Sequence, residues 1–170
     1  MSSERKPVLT GGCQCGRVRY ALYVAPTGIG VCHCRMCQKA LGAPFGVFAM
    51  ANSADVAWTR GRPASWQSSS RAYRDFCGAC GTPLAFRPLD RDAIDIMVGT
   101  LDEPEKAAPT YEVGREGKLS WVADLSSLPG KTTLESMGAE RLAQVISYQH
   151  PDHDTAEDWK PRGSEAEFMD

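Results

Sequence analysis

Seven cysteines hold the chemistry this sequence can do, and they fall in three short groups: Cys13-Gln14-Cys15, Cys32-His33-Cys34-Arg35-Met36-Cys37 and Cys77-Gly78-Ala79-Cys80. An odd number leaves a complete disulfide framework one partner short, and spacings of two and three residues suit metal ligation better than cross-linking. The metal that such thiolates favour is zinc, which takes four sulfur or imidazole ligands in a tetrahedron. Cys77 and Cys80 form a zinc knuckle, with Gly78 and Gly81 permitting the tight turn. Cys13 and Cys15, beside Gly11, Gly12 and Gly16, can curl in the same way. Together the two pairs supply a closed four-sulfur site that would stabilise the fold much as a core does. Cys32, Cys34 and Cys37 then remain. Three thiolates leave a fourth corner for water or an incoming thiolate, the property that separates catalytic from structural zinc. Arithmetic alone does not fix how the groups pair. On spacing alone the Cys32 group is equally a second structural site or an empty reduced cluster. A redox dithiol at Cys77/Cys80 lacks the surrounding βαβ pattern. His33, with a cysteine on either side, reads as a packing neighbour of the ligands rather than as a ligand.

The elements that must position these groups are mostly short strands broken by Gly and Pro. Val18–Val24, Phe45–Met50, Tyr73–Phe76, Pro83–Phe86 and Ala93–Gly99 read as strands, and Val56–Trp58 with Ala64–Ser68 as a hairpin across Arg60-Gly61-Arg62-Pro63. Strands at this spacing favour an all-β domain. A short helix is expected from Arg35 to about Leu41, starting inside the middle cysteine group. A second is expected from about Glu135 to Tyr148, where Met137, Leu142, Val145 and Ile146 share a face until Pro151. The stretch from His150 onward is acidic and polar, with Trp159, Phe168 and Met169 as its few apolar residues. It reads as loosely held or lying over the surface, with His150 and His153 solvated. The division expected is a zinc-binding domain over residues 1–134 and a C-terminal helix and polar tail over 135–170.

Composition narrows the function. The 170 residues carry a formal charge of −2 and a pI near 5.9, so no long-range field favours nucleic acid or an anionic membrane. Arg60, Arg62, Arg71 and Arg74 are the one candidate basic patch, and the arginines read as solvated. Residues Met1 to Pro7 are polar and have no signal-peptide core, and no apolar run reaches membrane-spanning length. The expected location is the cytoplasm, where thiols stay reduced. Oligomeric state is not legible.

Three stretches carry a family resemblance: Gly12-Cys13-Gln14-Cys15-Gly16-Arg17-Val18-Arg19-Tyr20, then Cys32 to Cys37, then Phe76-Cys77-Gly78-Ala79-Cys80-Gly81-Thr82-Pro83-Leu84. Softer matches are Ser70-Arg71, Gly99-Thr100-Leu101-Asp102, Trp121 and Leu128-Pro129. The pattern resembles the glutathione-dependent formaldehyde-activating enzyme and centromere protein V family over about residues 10 to 130. The resemblance implies a β-tent fold, small antiparallel sheets pinned by zinc. It implies Cys13, Cys15, Cys77 and Cys80 as structural zinc ligands and Cys32, Cys34 and Cys37 as catalytic ones. The implied activity is a carbon–sulfur lyase type, condensing formaldehyde with glutathione to S-(hydroxymethyl)glutathione. The glutathione sulfur would take the open zinc corner as thiolate, with Phe45 and Phe48 as candidate walls and Arg71 or Arg35 as candidate carboxylate holders. Three other readings stand beside it: a non-enzymatic zinc module for a protein partner, an enzyme acting on a different thiol or carbonyl adduct, and a thiol redox or metal-buffering protein.

Overall fold

The structure, a computed structural model, describes residues 5–156 and 158–160. Met1–Glu4 of the polar N-terminal reading, and Phe168 and Met169 of the tail, lie outside the described residues. The chain is mainly β, as expected. A small sheet has the order β1-β2-β5, with β1 Leu9–Gly12, β2 Arg19–Leu22 and β5 Val56–Arg60. A larger sheet has the order β10-β3-β4-β9-β8-β7-β6, formed by Tyr111–Val113, Gly28–Cys32, Gly46–Asn52, Ala93–Met97, Pro83–Pro88, Ala72–Phe76 and Ala64–Ser69 respectively. The named strand pairs are antiparallel except β10 with β3, which is parallel.

The core lies where the small sheet covers one face of the large one. Tyr20 and Leu22 from β2 meet Ala49, Leu84, Ile94 and Ile96 from the large sheet. Leu22, Leu84 and Ile96 are fully buried, each stabilising the fold by ~1.5–3 kcal/mol. Tyr20 hides its ring completely yet keeps its hydroxyl satisfied against Thr100 Oγ1 at 2.7 Å, as a buried phenol requires.

Three sequence expectations are corrected here. The expected hairpin does not form: β5 pairs with β2 in the small sheet, and β6 pairs with β7 at the edge of the large one. Trp58 packs edge-on against Tyr20, whereas Trp66 stays exposed. The two runs therefore serve different sheets, which alternation alone cannot reveal. The single helix over 135–148 is instead two short ones, α2 Thr133–Met137 and α3 Ala139–Ala143; α1 is Arg35–Leu41. Thr132 and Glu135 form a reciprocal capping box on α2. Gly138 ends it at φ 77° and ψ 154°, a positive-φ conformation outside the helical region that suits glycine. Beyond Ala143 the apolar positions Val145, Ile146 and Tyr148 face solvent, so no packing sustains a helix there. From Lys118 to Gln149 no residue is buried, and this stretch forms an arm.

The third correction concerns the tail. His150 is buried, not solvated, and its N–H donates to the Gln14 carbonyl at 2.7 Å. Its Nδ1–H donates to the Pro151 carbonyl, which leaves Nε2 to accept from Thr155 Oγ1 at 2.9 Å. Burial, with Arg19 and Arg60 nearby, holds its pKa below the ordinary imidazole value and keeps the ring neutral. Trp159 packs against it at 4.5 Å. Arg60 likewise is engaged rather than solvated, donating to the carbonyls of Gly16, Thr155 and Ala156.

Beneath the tail, Arg19 and Asp102 form a buried ion pair at 2.6 Å, with Thr10 donating to the same carboxylate and Asp154 closing over Arg19. Burial raises the Asp102 carboxyl, but the hydrogen bonds from Arg19 and Thr10 outweigh it and the net pKa falls. A depressed acid contributes stability above its unfolded pKa of ~3.9, lost as pH drops through the folded value. Asp102→Asn should therefore cost about 2 kcal/mol at neutral pH, less than a fully orphaned charge because Asp154 remains on Arg19. Chemical denaturation should show this deficit unchanged from pH 8 to about 5 and shrinking below about 4. A deficit that varied across neutral pH would contradict the assignment.

Candidate metal centres

The fold gathers the cysteines into two clusters. The sulfurs of Cys13, Cys15, Cys77 and Cys80 lie within 4.8 Å of one another, as do those of Cys32, Cys34 and Cys37. None of the seven is in a disulfide. The S···S separations of 3.5 Å for Cys13–Cys15 and 3.8 Å for Cys15–Cys77 lie just below and at the ~3.8 Å edge of a tetrahedron with ~2.3 Å metal–sulfur bonds. The four-sulfur cluster thus fits a tetrahedral ion, and its ligands come from the β1–β2 turn and the β7–β8 turn. The Val18 N–H donates to Cys13 Sγ, and Cys80 Sγ contacts Thr82 Oγ1 at 3.1 Å. Burial pushes the Cys80 thiol up, but the Thr82 hydroxyl and backbone N–H groups reverse this and bring it to about 6. Burial pushes Cys13 and Cys15 upward, with Cys77 adding to it at Cys13, where Cys15 opposes, and Cys13 and Cys80 adding to it at Cys15. Thiolates this crowded need a cation among them.

The three-sulfur cluster sits at the end of β3 and the start of α1. Cys34 is the α1 N-cap, its sulfur accepting from the Cys37 N–H at 3.4 Å. Gln38 holds the turn by donating from Nε2 to the His33 and Gly117 carbonyls, both at 2.8 Å. Burial pushes the Cys32 thiol up to about 12, and the adjacent Cys34 and Cys37 sulfurs add to this. Cys34 moves the other way, lowered because hydrogen bonds from Cys37 outweigh its burial. His33 stands outside both clusters: its Nε2–H donates to Glu112 at 3.2 Å, and its ring lies against Phe45.

Register along β4 explains what surrounds this cluster. Gly46 pairs with Cys32, Phe48 with Gly30 and Met97, and Met50 with Gly28 and Asp95. Alternate residues share a sheet face, so Cys32, Phe48, Met50 and Asp95 belong to one face. The pairings of Asp95 with Phe86 and of Phe86 with Arg74 carry that face across β8 to β7. The result is a cavity of about 370 Å³, mainly apolar, with the three cysteines of the cluster in its lining. Arg74 Nη2–H donates to Cys37 Sγ at 3.4 Å while its guanidinium lies over Phe86.

Of the residues named from sequence, Phe48 lines this cavity and Phe45 packs on His33 instead. Arg35 donates to Gln38. Arg71 pairs with Asp90 at the surface, away from the lining. Arg62 donates to the Trp58 carbonyl. Each of the four arginines of the candidate patch is thus engaged in a different contact. Met50 and Asp95 escaped sequence reasoning as lining residues, and Arg74 was named only in the basic patch, since nothing local ties them to the cysteines. The available signal was their even spacing from strand neighbours already facing the cysteines. A second, polar cavity of about 420 Å³ reaches Cys13 and Cys80 and is lined on one side by Gln149–Asp152. Four thiolates at that cluster leave no vacant position for a ligand.

No helix among the described residues is long and apolar enough to cross a membrane. A crystal structure of a Rhodobacter sphaeroides protein is similar in fold, with a TM-score of 0.50 and 21% identity over 61% of this chain and 99% of that one. A Schizosaccharomyces pombe protein named as an uncharacterized lyase is 30% identical over 80 residues. That match spans 47% of this chain and 58% of the yeast protein. The family model described as glutathione-dependent formaldehyde-activating enzyme matches residues 8–115, ending short of the softer likenesses at Trp121 and Leu128-Pro129. Because this match takes in more than half of the 170 residues and all seven cysteines, the chain belongs to the glutathione-dependent formaldehyde-activating enzyme family.

Proposed function

We propose that this protein is a zinc-dependent carbon–sulfur lyase-type enzyme that interconverts a small thiol, glutathione, and its formaldehyde adduct S-(hydroxymethyl)glutathione. The observation that carries the reading is the contrast between the clusters: four sulfurs form a complete tetrahedral set, whereas three open onto an apolar cavity. Cys13, Cys15, Cys77 and Cys80 are assigned to a structural zinc, and Cys32, Cys34 and Cys37 to a catalytic one. A zinc ion held by Cys32, Cys34 and Cys37 would lower the pKa of a thiol that bound beside them. The chain's own residues do the rest. Phe48, Phe86 and Val113 restrict water around the sulfurs, which strengthens electrostatic interactions there. Arg74 fixes Cys37 and adds positive charge beside the cluster, where the carbonyl oxygen gains negative charge as the carbon–sulfur bond forms. The proton lost by the thiol is balanced by the one taken up by that oxygen. The S. pombe relative's name, a lyase, supports the reaction class. A reducing, cytoplasmic setting belongs to this reading, because seven free thiols persist there. So does a zinc domain over residues 1–134, with the segment from 135 onward held to it by His150.

A second reading has its own support. Trp121, Leu125, Leu128, Leu134, Val145 and Ile146 are all exposed along the arm, as in a module that binds a protein partner. Exchange NMR on an equilibrium mixture of formaldehyde and glutathione separates the two. Zinc-loaded protein should accelerate interconversion in proportion to its concentration, above a heat-inactivated control. Spontaneous rates with both zinc sites filled would reject the enzyme and leave the module or a different substrate.

A further inference from the structure

We infer that Asp95 selects the thiol substrate by receiving an ammonium group at its far end, the α-amino-acid end of a γ-glutamyl-type thiol. This rests on reading the three-sulfur cluster as the thiol site.

Asp95 lines the same cavity as that cluster, and the strand register sets it apart from Cys32. On β4 its partner is Met50, while the partner of Cys32 is Gly46. Four residues at ~3.3 Å each put the two levels ~13 Å apart on one sheet face. A thiol held by its sulfur at the cysteines and lying along Phe48 reaches Asp95 only with a chain several bonds long. A short alkyl thiol does not.

The carboxylate is built for a partner that the chain itself does not supply. Asp95 is only 8% exposed, and its Oδ1 is buried without a hydrogen bond. Its other oxygen has a single long contact, 3.4 Å from Arg91 Nη2. Burial accordingly pushes its pKa above the ordinary carboxylate value, with Arg91 opposing only in part. A buried polar atom left unpaired is costly, and a site that leaves one open rejects ligands unable to satisfy it. A cation meets that need. Arg91, half exposed beside Asp95, disfavours a bare cation but suits one with a carboxylate attached. An ammonium and a carboxylate on one carbon answer both residues at once.

The test compares glutathione with its des-amino analogue, in which glutaryl replaces γ-glutamyl, by NMR titration of zinc-loaded protein. Wild type should bind glutathione about tenfold or more tightly than the analogue. Asp95→Asn, which keeps the side-chain shape, should lose most of that preference while binding the analogue about as wild type does. A general loss of structure would weaken both ligands together, so the ratio reports recognition. Equal binding of the two thiols by wild type would overturn the inference, even if the variant failed to fold. So would an undiminished preference in Asp95→Asn. Equal binding together with accelerated exchange would remove Asp95 from recognition and leave the proposed function standing. Absence of both binding and exchange would remove the two together.

Discussion

Serine in place of Cys34 should return the interconversion of glutathione and its hydroxymethyl adduct to the spontaneous rate, with the molecule still folded and one zinc still bound. The choice of residue follows from its surroundings. Cys34 caps α1 through its sulfur, and serine is among the best N-cap residues, so the helix keeps its start. Cys37 would be a poorer probe, because it is buried against Arg74 and its loss disturbs packing as well. Two thiolates without the third hold zinc weakly, so metal content should fall from about two per chain to about one, by the ligand count of the two clusters. The melting temperature should move by only a few degrees, since a change of about 1 kcal/mol shifts Tm by ~2–8 °C depending on domain size. Metal analysis, calorimetry and exchange NMR on one preparation read all three outcomes. Loss of folding would sink the division of labour between the clusters. Undiminished exchange would sink the catalytic assignment.

Cys77→Ser is expected to have the opposite profile and the larger structural effect: no cooperative unfolding transition at 25 °C. Cys77 is 1% exposed and belongs to the core as well as to the four-sulfur cluster. That cluster ties the β1–β2 turn to the β7–β8 turn, joining segments of the two sheets. Structural zinc contributes on the order of 10 kcal/mol to small domains, comparable to the whole stability of a typical one. A strong chelator should produce the same collapse in the wild type, after first removing the zinc of the three-sulfur cluster. Far-UV circular dichroism with a metal-release dye would resolve the two steps. A Cys77→Ser protein with wild-type stability would show that core packing alone sustains the fold.

The three cysteine groups and α1 were legible because their information is local, ligand spacing and a helical run ending at Leu41, whereas the pairing of the first group with the last came from the family resemblance. Most strands were legible for the same reason. What escaped depends on partners distant in sequence. β3 and β10 are short and glycine-containing or partly exposed, and their pairing crosses about 80 residues. The misjudged hairpin has suitable strands and a suitable turn, but Trp58 finds Tyr20 and β6 finds β7. His150 looked like a solvated tail residue because its burial depends on Arg19, Gln14 and Arg60, which no window around it contains. Asp95 read as one acid in an apolar strand. Its meaning came from the strand register that set it opposite Met50, in the same cavity as three cysteines.

The exposed arm between Lys118 and Gln149 is fixed at both ends, by Lys118 to Glu112 and by His150 to Gln14. It is therefore a tether, and a tether holds its end piece near its seat at an effective concentration of millimolar order. The contacts of His150, Asp154 and Trp159 need only modest intrinsic affinity to stay closed over Arg19. Cutting the arm at exposed Lys131 or Arg141 changes none of these contacts. It converts the closure into a bimolecular equilibrium that weakens on dilution, so one surface cleavage opens the polar cavity beside the four-sulfur cluster.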